Sequence, residues 1–268
     1  MERNLLSQSG CCMKKHRSIS LSIALALEYI AFIVIILLVW YIAGKNGNIK
    51  KSVLPTLPSL LKKFGKLFAS GKLLTNTWIS LRRVLTGYFI AAITGITLGI
   101  IIGLSKHLER LTHLLIQFIK PIPPIAWIPL VILWFGIGES GKVFLIFLGG
   151  FFIILINVVD GIRQTDPKLL EVSKVMNTPP LKNVFRVIIP SAVPNIFTGL
   201  RTGLSSCWMC VVAAELVSST TGLGFMISDA RNYGDIAEVI VGMITIGVIG
   251  KIMDSLLHLC EKLIIRWV

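Results

Sequence analysis

Charge is scarce in this chain of 268 residues, and acidic charge is scarcer still: Asp, Glu, Lys and Arg make up 15% of it, with 13 acidic against 27 basic residues. Hydrophobic residues make up 54% and the mean hydropathy is +0.80, which excludes a soluble globular domain of this size. No Gly-x-x-x-x-Gly-Lys-Ser/Thr stretch occurs, so the chain has no phosphate loop for a nucleotide. The histidines His16, His107, His113 and His258 lack metal-ligand spacing, which argues against a metal cluster and for solvated or packed roles. Cysteine is odd in number (Cys11, Cys12, Cys207, Cys210 and Cys260), which excludes a simple disulfide framework. Cys207-x-x-Cys210 has the spacing of a redox or metal pair, but it lies inside an apolar run with no nearby His, and packing is the preferred reading. No apolar run precedes Cys11, so neither a lipidated cysteine nor a cleaved signal is expected.

What is present is a series of long apolar runs. The formal charge of +14 sits in the short segments between them, as expected for solvated flanks and lipid headgroup contacts and not for a nucleic-acid partner. Residues 1–20 are polar and basic and are expected as a cytoplasmic tail; residues 21–83 are expected as a first span (21–43, with Glu28 near its start) and an interfacial connector. Residues 84–268 are expected as a core of five spans, near 84–104, 111–135, 143–159, 199–217 and 239–257. Six spans place both termini in the cytoplasm, although nine Lys or Arg in residues 44–83 then fall on the outer side and leave the charge rule contested. In the second span Gly95, Gly99 and Gly103 recur every fourth residue, a ladder that admits a close neighbour; Gly199 and Gly203 repeat the pattern. The third span carries Pro121, Pro123, Pro124 and Pro129, which mark either the wall of a pathway or a kinked, packed helix. Lys106 to Arg110 reads as a basic loop, and Arg82, Arg83 and Lys72 suit either an anion or simple interfacial snorkelling.

The longest polar interruption in the second half runs from Thr165 to Arg201. Asp166 and Pro167 start a helix, and Asn177 with Thr178 breaks it, because Asn tolerates a left-handed backbone. In the second helix Leu181, Val184, Phe185, Ile188 and Ile189 form one apolar face against the membrane helices, Lys182, Asn183 and Arg186 take the other, and Pro190 and Pro194 end it. A hairpin of this kind, at 165–194, has the shape of a docking surface.

Glu171-Val172-Ser173, then Asn177, then Ile188-Ile189-Pro190 resemble the signature loop of ABC importer permeases, with Val172 and Ser173 where Ala is usual and Asn177 in place of Gly. Ser80 to Tyr88, Pro121 to Pro129, Ile132 to Glu139, Gly199-Leu200-Arg201 and Gly222-Leu223-Gly224 look like the branch serving nitrate, sulfonate, taurine and related solutes. The resemblance covers about residues 52–266. It implies an all-α membrane protein of about six spans, like a type I ABC importer permease, in the cytoplasmic membrane of a prokaryote. Implied partners are a second copy, two copies of an ABC ATPase subunit that hold ATP and Mg, and an extracytoplasmic substrate-binding protein; the chain itself is expected to be no enzyme and to hold no cofactor. Glu171, Val172, Ser173, Lys174, Asn177, Lys182, Val184, Phe185, Arg186 and Pro190 would form the coupling hairpin that meets the ATPase. The rivals are an ATP-independent secondary transporter or channel, disfavoured by few central charges and no evident inverted repeat, and a membrane-embedded enzyme, for which Asp160, Asp229, Asp235 and Glu238 are too dispersed.

Overall fold

The computed structural model describes residues 55–264 throughout, together with residues 28, 31, 32, 34, 35 and 38–42 of the first apolar run. The chain divides into two compact units, residues 1–62 and 63–268. In the first, the described positions between 28 and 42 are helical (α1), and the Trp40 indole donates to the Pro55 carbonyl at 3.1 Å. The tail at 1–20 and most of the expected first span lie outside the described residues. Amphipathic helix α2, Leu57–Ala69, follows across the division between the units.

The second unit is built on three long helices, α3 (Lys72–Leu104), α6 (Glu139–Arg163) and α9 (Ile189–Ser218), of which α6 packs on both α3 and α9 along most of its length. Glycine sets the approach. A Cβ at Gly99 would stand 2.7 Å from the Val158 side chain, and one at Gly95 would stand 3.1 Å from Ile154. From the opposite side, a Cβ at Gly203 would stand 2.7 Å from Ile154. Ile154, fully buried, therefore lies between a glycine of α3 and a glycine of α9. Without a hydrophobic drive in lipid, this backbone proximity and its dispersion contacts hold the helices together. Cys207 and Cys210 are buried against the Gly149 and Gly150 pair of α6, and the Cys207 thiol reaches the Ile146 carbonyl at 3.2 Å.

Helix α3 starts at Lys72, so residues 72–83 are helical and not a connector. At 1.5 Å per residue its 33 residues extend about 50 Å, longer than the hydrocarbon thickness, and its first turns project beyond it. Residues 106–110 are likewise helix, the first turn of α4 (Lys106–Ile119), because Ser105 caps the free donors by accepting from the Leu108 N–H. The proline-interrupted span expected at 111–135 is a broken one. Pro121, Pro123 and Pro124 remove three donors within four residues, and the chain bends by 84° between α4 and the pair formed by a short 3₁₀ turn, Pro124–Trp127, and α5, Ile128–Phe135. The fourth span is longer than expected, Glu139–Arg163, and the polar stretch after Gly222 is a helix, α10 (Leu223–Asn232). Four described helices are long and apolar enough to cross a membrane: Lys72–Leu104, Glu139–Arg163, Pro180–Ser218 and Ile236–Ile264, the last being α11; the bent pair makes a fifth crossing if it counts as one.

Candidate functional site

The hairpin lies at one end of this bundle. Asp166 accepts from the Lys168 N–H at 2.9 Å and Pro167 occupies the first turn, so α7 (Pro167–Val175) starts where the backbone donors are otherwise free. Its other end is a Schellman turn: Asn177 N–H donates to the Lys174 carbonyl and Thr178 N–H to the Ser173 carbonyl, each at 3.0 Å. Asn177 sits at φ +50°, and no other non-glycine residue has positive φ among the described residues. It takes the backbone shape that glycine usually supplies. Ser173 is the buried position of α7, its hydroxyl donating to the Leu170 carbonyl at 2.8 Å, whereas Val172 is exposed. Only a small side chain suits the former; the latter has room.

Pro190 and Pro194 do not end the second helix. Helix α8, Pro180–Asn183, runs through a π turn at Val184–Ile188 directly into α9. Ile189 N–H donates to the Val184 carbonyl, five residues back, so the ladder is already widened where Pro190 would clash with the preceding turn. The same π turn rotates the side chains out of simple 3.6-residue register. Val184, Ile188 and Ile189 turn inward, but Leu181 and Phe185 are exposed and do not anchor the hairpin. Asn183, expected outward, is half-buried, and its Oδ1 is the one buried side-chain polar atom among the described residues without a hydrogen bond. Exposed Val175, Met176, Leu181 and Phe185 thus share the hairpin with Glu171, Lys174, Lys182 and Arg186, all exposed and without an ion-pair partner among the described residues.

At the opposite end lies a buried ionic hub that sequence reasoning missed. Arg83 of α3 is 5% exposed and uses its whole fork. Nε and Nη2 hold the Glu139 carboxylate at 2.7 and 2.5 Å, Nη1 donates to Glu215 Oε1 and to the Thr221 carbonyl at 2.7 Å each, and Nη2 also reaches Thr221 Oγ1 at 3.0 Å. Glu215 is 1% exposed, and its second oxygen accepts from Gly224 N–H at 2.9 Å. Ser80 Oγ lies 2.8 Å from both Glu215 oxygens and accepts from Leu223 N–H at 2.9 Å. Lys142 donates to Glu139 at 3.0 Å and Asn76 accepts from Gly222 N–H at 2.8 Å. Every buried charge here has a counter-charge, and Arg83 and Glu215 have further hydrogen bonds, which is the condition for keeping such groups at membrane depth. Gly222-Leu223-Gly224 belongs to the same hub: at φ +111° Gly222 brings its loop onto Glu215, and a Cβ at Gly224 would stand 2.7 Å from that side chain. The legible signals were Arg83 beside Arg82 at the start of an apolar run and the segments Ser80 to Tyr88, Ile132 to Glu139 and Gly222 to Gly224, which carry its members.

Two more networks tie α11 to the bundle. Lys63 pairs with Asp235 at 2.6 Å and Glu238 at 2.9 Å, and Lys72 with Glu238 at 2.8 Å. The hydrogen bond to Asp235 is the main cause holding the Lys63 ammonium above its ordinary range; burial pushes the Asp235 carboxyl up, but the Lys63 hydrogen bond and the Glu238 N–H outweigh it and leave the group below the ordinary range. Arg201 of α9 holds Asp254 at 3.1 Å and Glu261 at 3.2 Å. Gly199 and Gly203 face Asn157 and Ile154 of α6, and Gly103 faces Ile162. Pro121, Pro123 and Pro129 are exposed and Pro124 half-buried. The structure therefore keeps the hairpin residues together, aligns the glycines with the long helices, and leaves the prolines at an uncovered helix break. Among the described residues no group of three His, Cys, Asp or Glu is placed to hold a metal ion.

Residues 95–266 match the family described as binding-protein-dependent transport system inner membrane component. The chain is 38% identical, over 87% of its length and 84% of the relative's, to SsuC of Bacillus subtilis, named for aliphatic sulfonates transport. It is 34% identical, over 87% of each chain, to the nitrate import permease protein NrtB of Synechocystis sp.. It is 36% identical, over 71% of its length and 69% of the relative's, to the bicarbonate transport system permease protein CmpB of Synechococcus elongatus. Among solved structures it is similar to the MetNI methionine ABC transporter in an inward facing conformation, with TM-score 0.60 and 21% identity over 74% of this chain and 96% of that one. It is similar too to an amino acid ABC transporter crystallised with histidines, with TM-score 0.60 and 14% identity over 76% of this chain and 97% of that one. The fold is that of type I ABC importer permeases.

Proposed function

The chain belongs to the binding-protein-dependent transport system inner membrane components, and we propose that it is the transmembrane subunit of an ATP-driven importer for a small anion of the sulfonate, nitrate or bicarbonate kind. The single observation that carries the reading is the continuity of hairpin and span: α8 passes through its π turn into α9 without a break, so a displacement of the hairpin is delivered directly to the helix that holds Gly203 against Ile154 and Glu215 in the hub. The exposed apolar side chains and unpaired cations of the hairpin suit a groove with an apolar floor and acidic rim on an ATPase subunit. That subunit, in two copies, would bind ATP and Mg and hydrolyse the nucleotide. The permease itself has no part in that chemistry.

The uncovered proline break supports a second copy. Irregular backbone at membrane depth persists only where protein covers it or a cavity hydrates it, and Pro121 to Pro123 is exposed in the single chain, with Leu114, Leu115 and Phe118 exposed beside it. Two copies meeting there would enclose a path between them. Closure of the ATPases would then move both hairpins and open the path outward to an extracytoplasmic binding protein, and hydrolysis would reset it. In this reading the hairpin and the C-terminal end of α11 face the cytoplasm. Co-purification with the ATPase tests the docking: Phe185→Asp and Leu181→Asp should abolish it while membrane insertion stays normal, and retention of the ATPase by both variants would refute the assignment.

A further inference from the structure

Lys120 stands at the break of the bent span. Its N–H still donates to the Ile116 carbonyl at 2.9 Å, so it caps α4 where the chain begins to turn. Lys120 lines two cavities. One, of about 100 Å³, also involves Trp127, Gly149, Ile153 and Ser206; the other, of about 200 Å³, also involves His113, Gln117, Glu109 and Asp160. Gly149 and Ile153 flank the midpoint of α6, and Ser206 lies near the middle of α9, so Lys120 is level with the centre of the spans. An ammonium at that depth is costly and is found where it meets a counter-charge or a hydrated path. Among the described residues no hydrogen bond or ion pair engages the Lys120 ammonium.

The acids that share its larger cavity do not neutralise it. Glu109 is paired with Arg163. Asp160 is seven residues beyond Ile153, about 10 Å further along α6 toward the hairpin. His113, Gln117 and Thr112 supply polar wall between those levels. Among the described residues the middle of the spans therefore presents an unpaired cation with three donors, beside spaces that hold a solute of only a few atoms.

We propose that Lys120 is the anion-binding group of a mid-membrane subsite, where a small oxyanion (a sulfonate, nitrate or bicarbonate) pauses between the outer and the hairpin end. The proposal rests on the importer reading above and assigns its translocation step to a named side chain. A single positively charged side chain gives contact strong enough to desolvate the anion and weak enough to release it. The broken helix gives the side chain its place, since Pro121 to Pro124 turn the chain away and leave the space that a straight span would fill.

The test is uptake by proteoliposomes that hold the complete transporter, with labelled ethanesulfonate, nitrate and bicarbonate as probes and Lys120→Arg, Lys120→Met and Lys120→Glu as variants. Loss of one charge-assisted contact predicts uptake of the transported anion about 10-fold lower or more in Lys120→Met and largely kept in Lys120→Arg. Lys120→Glu should abolish it, while ATPase co-purification stays at the wild-type level in all three. Undiminished uptake by Lys120→Met would overturn the proposal, as would an equal loss in Lys120→Arg and Lys120→Met together with a lower folded yield, which marks a structural role. Failure of the wild-type chain to hold any ATPase is a different result: it sinks the importer reading, and this subsite with it.

Discussion

The guanidinium of Arg83 and the carboxylate of Glu215 lie 2.7 Å apart, both buried, and join the first third of α3 to the last turn of α9. Because Arg83 also holds Glu139, at the start of α6, one side chain gathers the three core helices at the end opposite the hairpin. Removal of one partner from a buried pair leaves the other charge uncompensated, at a cost of about 3–5 kcal/mol. Arg83→Met should therefore lower the thermal midpoint of the purified chain sharply. Arg83→Met combined with Glu215→Leu should recover part of the loss, because apolar residues can replace such a pair. A double variant no more stable than the single would show that the hub acts through something other than its charges.

Ile154 between Gly95 and Gly203 predicts an asymmetric response. Gly203→Leu forces a side chain into space that Ile154 occupies and should cost about 1–3 kcal/mol or prevent folding. Ile154→Ala opens a cavity and should cost about 2–5 kcal/mol. Fluorescence-detected size exclusion after heating measures both, and wild-type behaviour of either variant would contradict the packing.

The hairpin turn gives a milder case. Asn177 is left-handed, and Asn177→Val should cost about 1–2 kcal/mol because a β-branched residue resists that conformation, whereas Asn177→Gly should be neutral or better. Hydrogen exchange of the Thr178 amide, which bonds to the Ser173 carbonyl, reports the turn directly: protection should fall in the first variant and hold in the second.

Lys63 and Asp235 set a pH window. Asp235 titrates below its ordinary value, so its contribution is present above the ordinary carboxylate range, near pH 4, and is lost as pH falls through the depressed value. Lys63 titrates above its ordinary value, so its contribution is present below about pH 10.4 and is lost as pH rises through the elevated value. Asp235 is partly exposed, and an ion pair of that kind contributes about 0.2–1 kcal/mol. Asp235→Asn should accordingly lower the thermal midpoint slightly at pH 7, and the gap to wild type should close as the pH approaches 3. A gap that widened in acid would reverse the assigned sign.

Local chemistry was readable along the chain. Asp166 with Pro167 starts α7, Asn177 ends it, and the spacing of Gly95, Gly99 and Gly103 marks one face of α3, because each of these effects acts within one or two turns. Proline was not readable by type alone. Pro121, Pro123 and Pro124 break a span because three donors vanish within one turn, whereas Pro190 stays inside a helix because the π turn before it has already widened the ladder, and Pro194 lies further along the same helix. Phe185 was misplaced for the same reason, since one π turn rotates every later side chain relative to a 3.6-residue count.

By itself, then, the sequence determined the apolar spans, the hairpin with its left-handed Asn177, and the signature residues that mark the family, all of which depend on neighbours within a few positions. Only the tertiary structure decided which charges meet. Arg83 is 56 residues from Glu139 and 132 from Glu215, and nothing at those separations is encoded in periodicity or propensity. In a membrane core the cost of a lone charge forces each one to find a partner or a hydrated space, and which of the two it finds depends on how the helices pack: Arg83 found two carboxylates, and Lys120 found a cavity.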